Sequence, residues 1–156
     1  MADSDAHTGM GALLQKESDT VSDDFISIMG IKSISGPNIS RDTHDTTDMM
    51  SPQGWREFIG GLVDAGEISF DANWLPRDPT QGQDTGGLMA EFDKSSCASR
   101  GRWRIVAPEC EGEADVYLQM SGILTGQNIE IPMDDLMAFT GTIKVSGRPE
   151  LVIDGS

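Results

Sequence analysis

The segment Gly66-Glu67-Ile68-Ser69-Phe70-Asp71-Ala72-Asn73-Trp74 alternates strictly between polar and apolar residues. Side chains on a strand point to opposite faces with a period of two. Ile68, Phe70, Ala72 and Trp74 therefore form a dry face, and Glu67, Ser69, Asp71 and Asn73 a wet, acidic one. Just before it runs an insert, about residues 48–64, with too much apolar surface for a loop. In Gly54-Trp55-Arg56-Glu57-Phe58-Ile59-Gly60-Gly61-Leu62, the residues Trp55, Phe58, Ile59 and Leu62 are spaced for one side of a helical turn. Ser51-Pro52 reads as an N-cap followed by proline at the first helical position, which predicts one or two helical turns through Leu62. Ordinary connections are polar and shorter. An insert with its own aromatic anchors has something to dock on, in the same chain or in a neighbour.

Size and composition limit the rest. A chain of 156 residues suits one domain with a real core. Hydrophobic residues make up 37% and there are 18 glycines, a mixture that favours strands and turns over a helical bundle. No stretch approaches the roughly 18 apolar residues of a membrane span, and Met1-Ala2-Asp3-Ser4-Asp5 is not a secretion signal. The expected setting is the cytoplasm of the cell that makes the protein. A net charge of -15 repels duplex DNA, so ordinary nucleic-acid binding is disfavoured. Cys97 and Cys110 have no metal-ligand partners in sequence and read as free thiols filling small gaps.

Along the chain, residues 1–24 read as a flexible arm with a first short strand around 11–15. Phe25–Ser35 is a strand broken at Gly30, followed by a Gly36-Pro37 turn and an extended segment over 39–47. The best helix candidate is Asp84–Lys94, short and dependent on packing, with Leu88, Met89 and Phe92 on one side. Strands follow at Trp103–Ala107 and Ala114–Leu124. A hairpin-like connection is expected at Gly126-Gln127-Asn128. After it come a long strand through Phe139–Val145, a turn at Gly147-Arg148-Pro149 and a last short strand at 151–153. The expected fold is mainly β, a sandwich or partial barrel with one short flanking α-helix.

Chemistry is hard to place on this pattern. Asp42, His44, Asp45 and Asp48 offer ligand types, yet on a strand Asp42 and His44 share a face while Asp45 lies on the other, and no second cluster completes a metal site. Glu109, Glu111, Glu113 and Asp115 lack the glycine and terminal acid spacing of a calcium loop. There is no Gly-x-Ser-x-Gly elbow, and neither cysteine has a histidine nearby in sequence. Gly9-Met10-Gly11 lacks the rest of a dinucleotide fingerprint. Neither an enzyme nor a cofactor is expected.

The combination of Gly36-Pro37, Arg41-Asp42 with the threonine-rich strand to Thr47, Gly54–Leu62, Asp64–Phe70, Trp74, the single helix and Gly147-Arg148-Pro149 resembles the tail tube (major tail) proteins of long-tailed, non-contractile bacteriophages. It spans about residues 25–153. The resemblance implies a virion protein whose hexameric rings stack into a hollow tail tube, a conduit for DNA delivery into the bacterial host. It implies as partners further copies of the chain, a tape measure protein, a tail terminator and a distal tail or baseplate protein, with no membrane and no specific DNA contact. It also implies one tail-tube domain over 25–156; the C-terminal immunoglobulin-like domain of some members is not expected here. On this reading Trp55, Arg56, Phe58, Ile59 and Leu62 dock on the adjacent ring, or else fold back as a satellite cluster on their own subunit. Glu67 and Asp71 are candidates to face the lumen.

Other readings use the same residues. One is a related tube-fold component: a terminator, a distal tail protein, or the tube of a contractile tail, secretion system or gene transfer agent. Another is a monomeric β-sandwich binding module, which predicts a concave aromatic patch that Trp55, Trp74 and Trp103 are too scattered to form.

Overall fold

The computed structural model describes residues 8–84, 86–108 and 115–154. Its strands are β1 (Leu13–Glu17), β2 (Phe25–Ser27), β3 (Ile31–Ser35), β4 (Ser40–Asp45), β5 (Phe58–Asp64), β6 (Glu67–Asn73), β7 (Arg100–Val106), β8 (Asp115–Glu130) and β9 (Ala138–Asp154). Seven of them form one sheet in the order β2-β1-β7-β8-β9-β6-β3, while among the described residues β4 and β5 pair only with each other. Every pairing is antiparallel.

β6 behaves as its alternation dictates. Ile68, Phe70 and Ala72 are buried, and Glu67, Ser69 and Asp71 are exposed. The long β8–β9 hairpin forms the spine of the fold. β7 pairs with β8 from Tyr117 to Ile123, and β6 pairs with β9 from Ala138 to Lys144, so the two wings of the sheet leave the spine at different heights. Leu14 and Trp103 from one wing meet Ile68 and Phe70 from the other in one core that also includes Met120, Phe139 and Ile143. The sheet thus folds over on itself as a sandwich, with β2 and β3 as its edges. Each large side chain taken fully out of water there contributes about 1.5–3 kcal/mol. Trp103 keeps its indole N–H satisfied by donating to the Gly122 carbonyl at 3.3 Å.

Three local expectations need correction. The helix expected over 84–94 is a 3-10 segment, Met89–Asp93. With three residues per turn, positions 88, 91 and 94 share a side. Leu88 and Glu91 are therefore buried, whereas Phe92, expected on the packed side, is exposed. The turn signals at 126–128 and 147–149 do not end strands. Both lie within continuous ladders: Thr125 is the extra residue where Leu124 pairs with Ile143 and Gly126 with Thr142, and 147–149 are accommodated between Ser146 and Glu150. Glycine and proline mark bulges as readily as turns, and a bulge bends a strand without ending it. The true reversal is 131–137.

The third correction is the insert. Only Pro52–Gly54 is helical, again as a 3-10 turn, with Ser51 before it making no side-chain cap. From Phe58 the chain becomes β5. Gly60 and Gly61 are poor helix formers, and pairing with β4 supplies the hydrogen bonds a helix would have given. Elsewhere, the break expected at Gly30 separates β2 from β3. Cys97 is exposed in a turn and fills no gap; Cys110 and Glu109–Glu113 lie outside the described residues, as do residues 1–7 of the expected N-terminal arm.

Candidate assembly surface

β4, β5 and the residues between them form a two-stranded arm that leaves the sandwich at the Glu67 end of β6. Its root is fixed by two close backbone crossings. Gly36 (φ 107°) and Gly66 (φ 73°) adopt left-handed conformations, and a Cβ on either would come within 2.4 Å of a carbonyl oxygen, that of Glu67 or of Asn38. Asp64 ties the root down by accepting the Gly66 N–H at 2.9 Å, with the Lys144 ammonium at 3.5 Å. These two contacts, the backbone one foremost, hold its carboxyl below the usual aspartate range.

Beyond the root the arm is wet on both sides. Trp55 is 71% exposed, Phe58 56%, Ile59 58% and Leu62 83%. Because β5 is a strand, Phe58 and Ile59 point to opposite faces, not to one helical side. Arg41 and His44 lie across Gly60 and Gly61, where a Cβ would meet them at 3.0 and 2.7 Å. A hairpin of two strands is at best marginally stable in water. The tip compensates with its own polar bonds. The Thr46 N–H donates to the Glu57 carbonyl at 2.8 Å, the Glu57 N–H to Thr47 Oγ1 at 2.7 Å, and Ser51 Oγ to Glu57 Oε2 at 3.1 Å. Asp45 accepts the Thr47 N–H at 2.8 Å, and its hydrogen bonds to Thr47 hold its carboxyl low. The tip is therefore preorganised while Trp55 and Arg56 stay in solvent.

Glu67 and Asp71 stand on the wet face of β6, as the alternation requires. Their surroundings differ. Glu67 is directly across the ladder from Lys144, whereas Asp71 is opposite Thr140 and accepts the Ser33 hydroxyl at 3.1 Å. The face continues through Ser69, Thr140 and Thr142, a hydroxyl-rich surface with carboxylates set into it.

Sequence reasoning missed two features. One is a buried ion cluster: Lys16 and Glu91 form a buried ion pair, and Lys94 reaches Glu91 at 2.8 Å and Asp19 at 2.6 Å. The signal was present in β1, where Lys16 follows Leu14 by two residues and so shares its inward face. The other is the β8–β9 loop, where Ile131, Met133 and Leu136 are exposed beside Asp134 and Asp135. Asp42, His44 and Asp45 gather no further ligand; among the described residues no group of three or more His, Cys, Asp or Glu could hold a metal ion.

A family model described as "Lambda phage tail tube protein, TTP" matches residues 10–152. A comparison with functionally curated proteins finds no match. Among solved structures, the chain is similar to one from the tail of an empty gene transfer agent particle, computed with C6 symmetry, at 17% identity and TM-score 0.69, covering 94% of this chain and 99% of that one. A sheath/tube terminator structure of an extracellular contractile injection system gives 14% identity and TM-score 0.72, covering 97% and 99%. The SPP1 tail tube gives 12% and 0.61, covering 94% and 79%. At these identities the likeness establishes the fold.

Proposed function

The chain belongs to the lambda phage tail tube protein family, and from that premise we propose that copies of it close into hexameric rings which stack into the hollow tube of a virion tail. The observation that carries the stacking role is the arm. It holds Trp55, Phe58, Ile59 and Leu62 in water on a framework its own hydrogen bonds keep in shape, so a neighbouring ring gains their burial without first ordering the tip. Among the described residues β2 and β3 are free edges, which supports closure within a ring, since an unpaired edge is completed by another subunit's strand.

The hydroxyl-rich face of β6 and β9 is then the candidate lumen wall. A six-fold ring repeats Asp71 and Glu67 as circles of six carboxylates. Repulsion over a Debye length of roughly 8–10 Å keeps passing DNA from adhering. Lys144 opposite Glu67 makes Asp71 the stronger contributor. A tape measure protein inside the tube, and a terminator and a distal tail protein at its ends, complete the assembly on this reading. The family is structural, and the role needs no catalytic residue and no cofactor.

The test is electron microscopy of the purified protein across a concentration series. Tubes or rings with six-fold averages are expected, and Trp55→Ala is expected to remain folded and unpolymerised. A wild type that stays monomeric at high concentration overturns the reading. Normal tubes from Trp55→Ala remove the arm from the stacking role.

A further inference from the structure

Between the arm's root and β9 lies an open groove, lined by the apolar side chains of Ile39, Leu62, Val63 and Pro149 together with the cations Arg41 and Arg148. Asp42 and Asp64 also line it, and Asp64 is already engaged by Gly66 and Lys144. On a chain of net charge -15, two arginines beside an apolar groove are a local exception. The β8–β9 loop has the converse character. Ile131, Met133 and Leu136 are exposed there, and Asp134 and Asp135 sit between them. Among the described residues, neither these aspartates nor Arg41 and Arg148 make an ion pair.

The two surfaces lie at opposite ends of the same strands. The loop adjoins the Asn73–Ala138 pair, and the Trp74 N–H donates to the Met137 carbonyl. The groove begins at Val145, whose N–H donates to the Gly66 carbonyl beyond the Glu67–Lys144 pair. Seven ladder pairs of about 3.3 Å each separate them by roughly 20 Å. Because loop and groove are distinct patches at opposite ends, their contact is heterologous and repeats from copy to copy, where a self-complementary patch would stop at a dimer.

We propose that the β8–β9 loop of one subunit seats in the arm-root groove of a second copy, in the next ring, with Asp134 and Asp135 meeting Arg41 and Arg148 and Met133 and Leu136 covering Leu62 and Pro149. This rests on the stacked-ring reading and names the surface that receives the subunit at the other end. The arm tip stays free for its own contact.

Charge exchange tests it. Arg148→Glu alone and Asp134→Arg with Asp135→Arg are each expected to raise the concentration needed for tube growth at least about tenfold, since like charges then face each other. A chain carrying all three substitutions is expected to recover most of the lost growth, with Arg41 alone left opposite like charge. Separately, in a Cys97→Ser, Cys110→Ser background, tubes grown from mixed Met133→Cys and Pro149→Cys chains are expected to give an oxidised cross-link between the two chains. Charge variants that polymerise like wild type, no rescue by the exchange, or no cross-link in intact tubes overturn the loop-in-groove contact while leaving the tube reading standing. A wild type that forms no polymer overturns both.

Discussion

The ring of Phe70 occupies the space a side chain at Gly141 would fill. The two residues are cross-strand partners in β6 and β9, and a Cβ on Gly141 would sit 2.3 Å from the Phe70 ring. The same ring meets Phe139 edge-on at a centroid distance of 5.9 Å and an interplanar angle of 89°. Glycine is thus part of the core's shape at a point where the tip of a buried aromatic ring leans over the backbone.

Gly141→Ala is expected to destabilise the subunit by about 1–3 kcal/mol, the usual cost of overpacking a core. Chemical denaturation measures it. Adding Phe70→Leu should return part of the loss if the ring is the obstacle; two additive losses would show that it is not.

Glu91→Ala is expected to cost up to about 3–5 kcal/mol, because it leaves buried Lys16 with only the more distant Asp19 carboxylate, at 3.7 Å. Replacing the pair together, Lys16→Met with Glu91→Leu, should recover most of that. A single-variant loss of only a few tenths in denaturant titration would mean that the cluster holds nothing.

Stability should respond to pH through Asp19 and Lys94. Burial opposes the Asp19 carboxylate, but its hydrogen bond from Lys94 and the charges of Lys16 and Lys94 outweigh that and hold it below the ordinary 3.8. A depressed carboxyl contributes stability above its unfolded value, and loses it as pH falls through the folded one. For Lys94, burial is again opposed and outweighed, here by Asp19 and Glu91, and the ammonium is held above 10.5. That contribution is present below 10.5 and lost as pH rises through the folded value. The difference in melting temperature between wild type and Asp19→Asn should be steady from pH 5 to about pH 9 and shrink at both extremes. A difference independent of pH would exclude the linkage.

Arg104 is stacked between two rings, 3.7 Å from the Phe25 centroid and 4.3 Å from that of Tyr117. Exposed cation–π contacts contribute about 0.5–1 kcal/mol each. Arg104 also donates to Gln119 at 3.1 Å. Phe25→Ala should therefore loosen the edge strand β2 without unfolding the core. Faster amide hydrogen exchange at Ile26 and Ile28, whose N–H groups face β1, with unchanged exchange at Ile68 and Phe70 is the expected pattern. Equal acceleration in both would mean that β2 is not held separately.

The arrangement of β6, the break at Gly30 and the apolar load on residues 54–62 were legible in sequence because each is a local property: period-two alternation, a permissive backbone, an excess of greasy side chains. The resemblance to tail tube proteins followed from several such pieces in order. The conformation of the 54–62 stretch was not legible, because Trp55, Phe58, Ile59 and Leu62 satisfy a helical spacing as well as an exposed strand, and only pairing with the distant β4 decides between them. Glycine at 126 and glycine-arginine-proline at 147–149 marked irregularity without saying whether the chain turned back or bulged, since that depends on β8 and β9 having each other as partners. Burial of Glu91 likewise required Lys16, 75 residues away, to arrive opposite it. Chain-local chemistry determined which residues prefer which face; tertiary pairing decided which faces met and which stayed exposed, because hydrogen-bond and charge partners come from remote segments that no window of sequence contains.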